Sequence, residues 1–418
     1  MSDTHFDVVI AGGGLVGSSL AVALQGSGLC VAVVEPIPEG DPRQPSFDDR
    51  HTALAPTSRR FFERLGLWPE ILASAYPIEH IHVSDQGHGG FTRLSAKEEG
   101  LPALGHVTPN RVLGAALRPA MEKAADLFCP AEILDSVIVE GADATAGPSV
   151  RQVRVKNASG EQTLTTRLLV VADGMRSSTR DALNIAMDEK DYGQSAIIVN
   201  LRSERHHGGM AYERFTPEGP IALLPAGENT VSLVWALPHE QAKAMAHNAS
   251  EAVFLDRLQA AFGWRLGKFS DLGHCSVYPL IAVTAQQFTS DRAVILGNAA
   301  HALHPVAGQG LNLALRDVAA LAELLGAPVD SESRQQTPTD PGGADVLAEY
   351  APLRQGDYRR TFGFTNGLVT LFSNDWLPLV AVRNMGLTAL DLFPPARRFL
   401  LKHATGAAGN VPALCRED

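Results

Sequence analysis

Residues 6–17 read Phe6-Asp-Val-Val-Ile-Ala-Gly-Gly-Gly-Leu-Val-Gly17, and Val31-Ala-Val-Val-Glu35 follows after an apolar helical pattern. This order is strand, glycine turn, helix, strand, acid. Gly12, Gly14 and Gly17 fit G-x-G-x-x-G, and Glu35 lies 21 residues after Gly14, close to the roughly 20 expected for an acid that binds a ribose. Gly12 makes the tight turn. Gly14 lets a pyrophosphate reach the backbone, and Gly17 lets the helix pack on the strand. The helix N-terminus then offers free N–H groups to the phosphates. Residues 8–34 carry no charge, yet six glycines, three serines and Gln25 point to a buried strand–turn–helix–strand unit rather than a membrane span.

Around this unit the chain has 418 residues, too many for one core. It is 45% hydrophobic and 19% charged, with a formal net charge of -11. That balance fits a soluble globular protein and argues against a nucleic-acid partner. Cys30, Cys129, Cys275 and Cys415 are scattered, with neither C-x-x-C nor metal-ligand spacing. A reduced, cytoplasmic protein is expected. The N-terminus carries Asp3 and Asp7 and lacks a basic signal-peptide region.

Further along, residues 52–73 look helical. Residues 78–94 alternate and suggest a strand of a different sheet, and 108–127 form a helix opened by Thr108-Pro109. Short strands are expected at Ile133–Val139, Ser149–Val155, Gln162–Thr166 and Leu168–Val171. Residues 192–289 alternate and read as a largely antiparallel sheet inserted into the first domain. A strand at 292–297 and a helix from Gly310 to Leu325 follow. Residues 327–345 form an exposed loop and 346–404 are helical. The fold class is thus α/β, a Rossmann-like domain with an inserted sheet domain and a C-terminal helical region. The expected boundaries are 1–77, 105–185 and 290–345 for the first, 78–104 and 186–289 for the second, and 346–418 for the third.

Two later segments qualify the glycine fingerprint. Ala172-Asp173-Gly174-Met-Arg-Ser177-Ser-Thr-Arg180 follows an apolar strand. Leu296-Gly297-Asn298-Ala-Ala-His301-Ala-Leu-His304-Pro305-Val-Ala-Gly308-Gln309-Gly310-Leu-Asn312-Leu-Ala-Leu-Arg-Asp317 follows another. In this order the three segments resemble the FAD-dependent aromatic hydroxylases. The run from His304 to Asp317 resembles the branch that acts in ubiquinone biosynthesis. So do Phe47-Asp-Asp-Arg50, Val83-Ser-Asp-Gln-Gly-His88, Glu213-Arg-Phe215, Phe262-Gly-Trp-Arg-Leu-Gly-Lys268 and Leu296-Gly-Asn-Ala-Ala300. The likeness covers roughly residues 5–400. Two positions depart from it. Asn298 stands where the wider family usually has Asp, and an amide oxygen still accepts a ribityl hydroxyl. Ala314 stands where the branch usually has Gly.

The resemblance implies FAD as cofactor, with NADH or NADPH as a transient electron donor. Reduced flavin would take O2 to a C4a-hydroperoxide, and an oxygen atom would pass to a phenolic ring. The substrate would be a polyprenylated ubiquinone precursor of the 2-polyprenyl-6-methoxyphenol type. The cofactor carries the chemistry, so no side-chain nucleophile is expected. Pro305, Gly308, Gln309 and Gly310 would form the flavin-loop environment, with the helix N-terminus stabilising negative charge on the ring. Cofactor contacts fall on Gly12, Gly14, Leu15, Gly17, Glu35, Arg50, Arg111, Asp173, Asn298, Gly308, Gly310, Leu311 and Asn312. Arg180 would support the Asp173 turn. His301 and His304 read as structural hydrogen-bonding residues rather than metal ligands, and His206-His207 as a solvent-facing turn.

The substrate would lie between the flavin and the inserted sheet, against Tyr212, Phe215, Leu223, Pro225, Val234 and Trp235. The apolar stretch Phe362–Phe393 is broken by Asp375, Arg383 and Asp391, so it does not span a bilayer. It reads as a packed helical domain, with docking on a membrane, a partner of a ubiquinone-biosynthesis complex or a polyprenyl chain as the alternative. Other readings of the whole are a hydroxylase of a different aromatic compound, a flavin reductase that does not use O2, and a non-catalytic FAD-binding component of a biosynthetic complex.

Overall fold

The computed structural model describes residues 4–38, 40–41, 48–140, 149–328, 340–372, 380, 383–387, 389 and 394–416. Phe47, most of the 327–345 loop, Asp375 and Asp391 lie outside them. Among the described residues the fold is α/β, with three sheets.

The Thr4–Ala11 strand is the centre of the first sheet. It pairs in parallel with Val31–Val34 on one side and Gly160–Val171 on the other. Asp126–Phe128 and Ala293–Ile295 extend this parallel run outward. Central parallel strands are covered on both faces, which explains their unbroken apolar sequences. Val8, Val9 and Ile10 have no exposed surface. The Leu15–Ala23 helix is apolar nearly all round and packs between the helices Asn110–Ala124 and Gln309–Leu324. A Cβ on Gly17 would run into the Gly12 carbonyl oxygen, so this helix reaches the strand only with glycine there. The strands expected at 162–166 and 168–171 are one continuous strand.

The second sheet is mainly antiparallel. Its path runs from His301–Ala302 through Ser276–Ala285, Met187–Ser203, Thr230–Pro238, Ile221–Pro225, Met210–Phe215 and His80–Asp85 to Phe91–Ser95. The pair Met210–Phe215 and His80–Asp85 is parallel. His301–Ala302 joins this sheet, although its position in the chain put it with the nucleotide-binding part. One face of the sheet is covered by the helices His239–His247 and Glu251–Phe262, where Trp235, Phe254, Leu258 and Phe262 form a second core. These helices fall within the segment 192–289 read as a largely antiparallel sheet, between its runs at 231–235 and 274–280, where no helix was expected. Their pattern, Ala242, Met245, Phe254 and Leu258 with Ser250 as a capping residue, is helical at close range. The opposite face looks toward the nucleotide-binding part.

Two smaller corrections concern the helices expected at 52–73 and 108–127. Residues His51–Leu54 form a strand paired with Gly105–Pro109, and the helix begins only at Pro56. Pro109 is the residue before the Asn110–Ala124 helix, and Thr108 lies in the strand, so neither caps through a side chain. In the C-terminal region, Ala344–Phe372 and Pro394–Ala404 are helical and lie against both sheets.

Candidate active site

A cavity of about 850 Å³ lies between the two sheets. At one end it is bounded by the glycine turn. Gly12 takes a left-handed φ of +98°, and a Cβ there would meet the Ala172 carbonyl oxygen at 2.6 Å. Gly12, Gly14 and Leu15 line the cavity, whereas Gly17 faces the strand behind it. Gly14 precedes the first turn of a helix with no side-chain cap, so the N–H groups of that turn are free for an anion.

Glu35 ends the second strand and is buried. One carboxylate oxygen accepts the Gly13 N–H at 2.6 Å and the other the Ile37 N–H at 2.8 Å. These bonds fix the carboxylate at the cavity edge. Asp173 lies on the next strand end. Its Oδ1 is buried and has no hydrogen-bond partner among the described residues, in a turn that lines the same cavity. Arg180 supports that turn as expected. Its guanidinium donates to the Met175 and Ala299 carbonyls at 3.1 and 3.3 Å, joining the Asp173 turn to the Gly297 loop.

The third element is the loop before the Gln309–Leu324 helix. Gly308 adopts φ +60° and caps the helix without a side chain. Pro305, Gly308, Gly310, Leu311, Asn312 and the exposed Asn298 line the cavity. Asn312, expected to contact cofactor, spends its amide on protein. Its oxygen accepts from the Ala55 N–H and the Ser58 hydroxyl at 2.8 and 2.7 Å. Its nitrogen donates to the Ala53 and Gly308 carbonyls at 2.9 and 2.7 Å. Both donors and both acceptor sites are used, which leaves only its backbone facing the cavity. Gln309 is also turned away. Its amide nitrogen donates to the Ala404 carbonyl at 3.0 Å, so it ties the loop to the C-terminal helix.

The two arginines separate. Arg50 lines the cavity, pairs with Asp48 and lies over the Tyr278 ring at 4.8 Å. Arg111 lies outside it, in a pair with Asp49 in which both side chains are mostly exposed. The reason is helical: Arg111 sits on the outer side of the first turn of Asn110–Ala124, while Asn110 faces in.

Residues 5–337 match the family described as the FAD binding domain. The chain is 36% identical over 408 residues to ubiquinone hydroxylase UbiL of Rhodospirillum rubrum, covering 97% of this chain and 90% of that protein. It is 30% identical over 418 residues to 3-demethoxyubiquinol 3-hydroxylase of Escherichia coli, covering 97% and 100%. The chain belongs to the FAD-dependent aromatic hydroxylases. Its curated relatives place it in their ubiquinone-hydroxylase branch. The structure of p-nitrophenol 4-monooxygenase PnpA from Pseudomonas putida has the same fold, with a TM-score of 0.75, 18% identity and coverage of 97% and 99%.

The hydroxylase binds FAD, and the residues present fit that group. They offer a glycine cradle, a carboxylate fixed at the cavity edge, a buried Asp173 oxygen with no hydrogen-bond partner among the described residues and a second uncapped helix start. Among the described residues no three metal-ligating side chains converge. His301 bonds Asp317 at 2.5 Å, deep in a network with Arg354. His304 Nδ1 accepts the Val306 N–H at 3.3 Å, and burial pulls its pKa down to about 4. His207, expected in solvent, is buried with Nε2 against the Gly227 carbonyl.

Which residues of the inserted sheet face the cavity follows strand alternation. Phe215 and Val234 line the cavity. Leu223 and Trp235 point the other way, into the core under the two helices. Pro225 shares their face, and Ala222 and Leu224 stand in the positions expected of Leu223 and Pro225. Tyr212 reaches the wall, but its ring packs edge-on against Phe262 with centroids 5.3 Å apart. Two side chains went unrecognised in the sequence, and the apolar 362–393 stretch, read as a packed helical domain or a docking surface, supplies part of a third group. Glu213 lines the cavity among these apolar residues. Arg383 does so too, held by Asp85 at 2.8 Å. Leu368, Phe372, Leu387 and Leu401 supply a wall from the C-terminal region. Phe372 stacks on Phe215 at 3.7 Å.

Proposed function

We propose that the protein hydroxylates the phenolic ring of a polyprenylated ubiquinone precursor of the 2-polyprenyl-6-methoxyphenol type, using NADH or NADPH as a transient donor and O2 as oxidant. The observation that carries this reading is the extent and lining of the cavity. It continues past the Pro305 loop into a mostly carbon-lined space of aliphatic and aromatic residues. A small phenol alone would leave much of this space unfilled, whereas a ring with an apolar tail matches it. The names of the curated relatives support the substrate class.

When bound, FAD supplies the redox and oxygen chemistry. The protein's share is binding and orientation. The turn at Gly12–Gly14 and the start of the Leu15–Ala23 helix receive the pyrophosphate, and Glu35 receives ribose hydroxyls. Asp173 and Asn298 offer oxygen acceptors to the cofactor's polar groups. The uncapped N–H groups after Gly308 meet negative charge on the ring. Phe215, Phe372 and Val306 pack together beside the Pro305 loop and exclude water from the reacting ring.

The test is cofactor release from purified protein, followed by NAD(P)H oxidation under air with and without a 2-polyprenyl-6-methoxyphenol analogue. Released FAD, phenol-stimulated oxidation and a product heavier by one oxygen atom are expected. FAD without phenol-stimulated oxidation overturns this substrate assignment.

A further inference from the structure

Glu213 lies on the Met210–Phe215 strand with its side chain on the cavity face, between Ala211 and Phe215. Its cross-strand neighbours are carbon as well: Val83 on the parallel strand and Ala222 on the antiparallel one. Among the described residues nothing bonds to its carboxyl, and withdrawal from water is the one cause acting on it. Of the other charged residues lining the cavity, Glu35 is held by backbone N–H groups, Arg50 by Asp48 and Arg383 by Asp85. Asp173 stands at the nucleotide end. On the sheet wall Glu213 is thus a half-buried carboxyl that opens on the cavity among carbon neighbours, with no bonding partner among the described residues. Burying such a group costs stability unless something bonds to it.

Its position along the wall defines what that something is. Phe215, about 7 Å further along the strand, belongs to the cluster with Val306, Phe372 and Leu387 beside the Pro305 loop. Ala211, the same distance the other way, belongs to a cluster with Leu94, Leu104 and Leu401. The wall therefore reads apolar, polar, apolar, with the first apolar part next to the loop where the ring reacts.

We propose that Glu213 is the specificity-determining contact for the ring hydroxyl of the aromatic substrate, orienting the ring at the Pro305 loop while the apolar tail runs toward the C-terminal helix. This assignment rests on the hydroxylase reading above. A phenol presents one O–H donor and one acceptor oxygen, and a carboxyl group can answer either. Burial raises the Glu213 pKa to about 8, so near neutrality it is mostly a neutral acid that both donates and accepts. Above that pH it becomes a carboxylate, which accepts an O–H more strongly. His82 and Arg214 stand on the opposite strand face, and Arg383 faces the cavity from residues 383–387 with its charge answered by Asp85.

The test uses FAD-loaded wild type, Glu213→Gln and Glu213→Leu. The probes are a prenylated 2-methoxyphenol and its O-methyl ether, titrated against the flavin absorbance spectrum. Glu213→Leu is expected to weaken the phenol about 10-fold or more, the range for losing a hydrogen bond to a buried polar group, and to leave the ether within about 2-fold. In wild type the phenol should bind more tightly as pH rises through about 8, and in Glu213→Gln its affinity should stay flat. FAD content checks that each variant is folded, and Glu213→Gln keeps the shape if Glu213→Leu does not fold. Equal weakening of phenol and ether, or no weakening of either, overturns the assignment. Phenol binding that depends on Glu213 without phenol-stimulated NAD(P)H oxidation supports this contact while overturning the hydroxylase reading. Stimulated oxidation that is the same in wild type and Glu213→Leu overturns the contact alone.

Discussion

Asn312 and Asp173 show how differently two polar residues serve one cofactor site. Asn312 is fully bonded to protein and holds the Gly308 loop against the His51–Leu54 strand and the Pro56–Arg64 helix. Asn312→Ala strands several buried partners at once. A loss of roughly 2–4 kcal/mol in unfolding free energy is expected, read by denaturant titration, with weaker FAD retention as a consequence. Asp173 has a buried oxygen with nothing bonded to it. Asp173→Ala should therefore leave the stability of the FAD-free protein nearly unchanged while weakening FAD binding by about 10-fold or more. An unchanged FAD affinity in a fluorescence titration would remove Asp173 from the cofactor site.

At the scale of elements, the glycine turn and the two helices it serves separate packing from binding. Gly17 is needed for the helix to reach the strand, since any Cβ would strike the Gly12 carbonyl oxygen. Gly14 opens onto the cavity. Gly14→Val is expected to abolish FAD retention by blocking the pyrophosphate. Variant protein that purifies with stoichiometric yellow cofactor would refute this. Gln309 joins the start of the Gln309–Leu324 helix to Ala404. Gln309→Ala should keep FAD yet slow hydroxylation, because the flavin-loop helix loses its tie to the C-terminal wall. Unchanged turnover at saturating phenol would make that tie irrelevant to catalysis.

For the whole molecule, buried titratable groups bound the pH range of stability from both sides. His106 and His304 are buried with pKa values lowered from 6.5 to about 4. Between those values the unfolded chain binds more protons than the folded one, so stability falls as pH drops through that window. Glu213 is raised from 4.5 to about 8. There the folded chain binds more protons, so stability falls as pH rises through that window. Denaturation midpoints measured against pH should decline on both sides. Glu213→Gln should flatten the decline toward pH 8 and, because the two windows overlap below pH 6.5, make the fall on the acid side steeper. An unaltered alkaline limb would mean that Glu213 titrates normally.

Much of this protein was legible because its signals are local. Gly12, Gly14 and Gly17 with Glu35, the Asp173 turn and the Gly308–Gly310 helix start each follow from backbone demands that a few neighbouring residues express. The resemblance built on them led to the family. The strands of the inserted sheet were legible from their alternation, but which face meets the cavity was not. Leu223 and Trp235 are as apolar as Phe215 and Val234, and only the two helices packed on one side of the sheet decide that the first pair is core. That Arg111, expected at the cofactor, lies outside the cavity has a related reason: a helix's inner side is set by what it packs against. The 362–393 stretch was legible as apolar, but its place in the cavity wall, and Glu213, belong to the tertiary structure alone. A carboxyl beside Arg214 in sequence looks like an ordinary surface charge. Its isolation in hydrocarbon appears only when strands from residues 80–85 and 221–225 and helices from beyond residue 344 close around it.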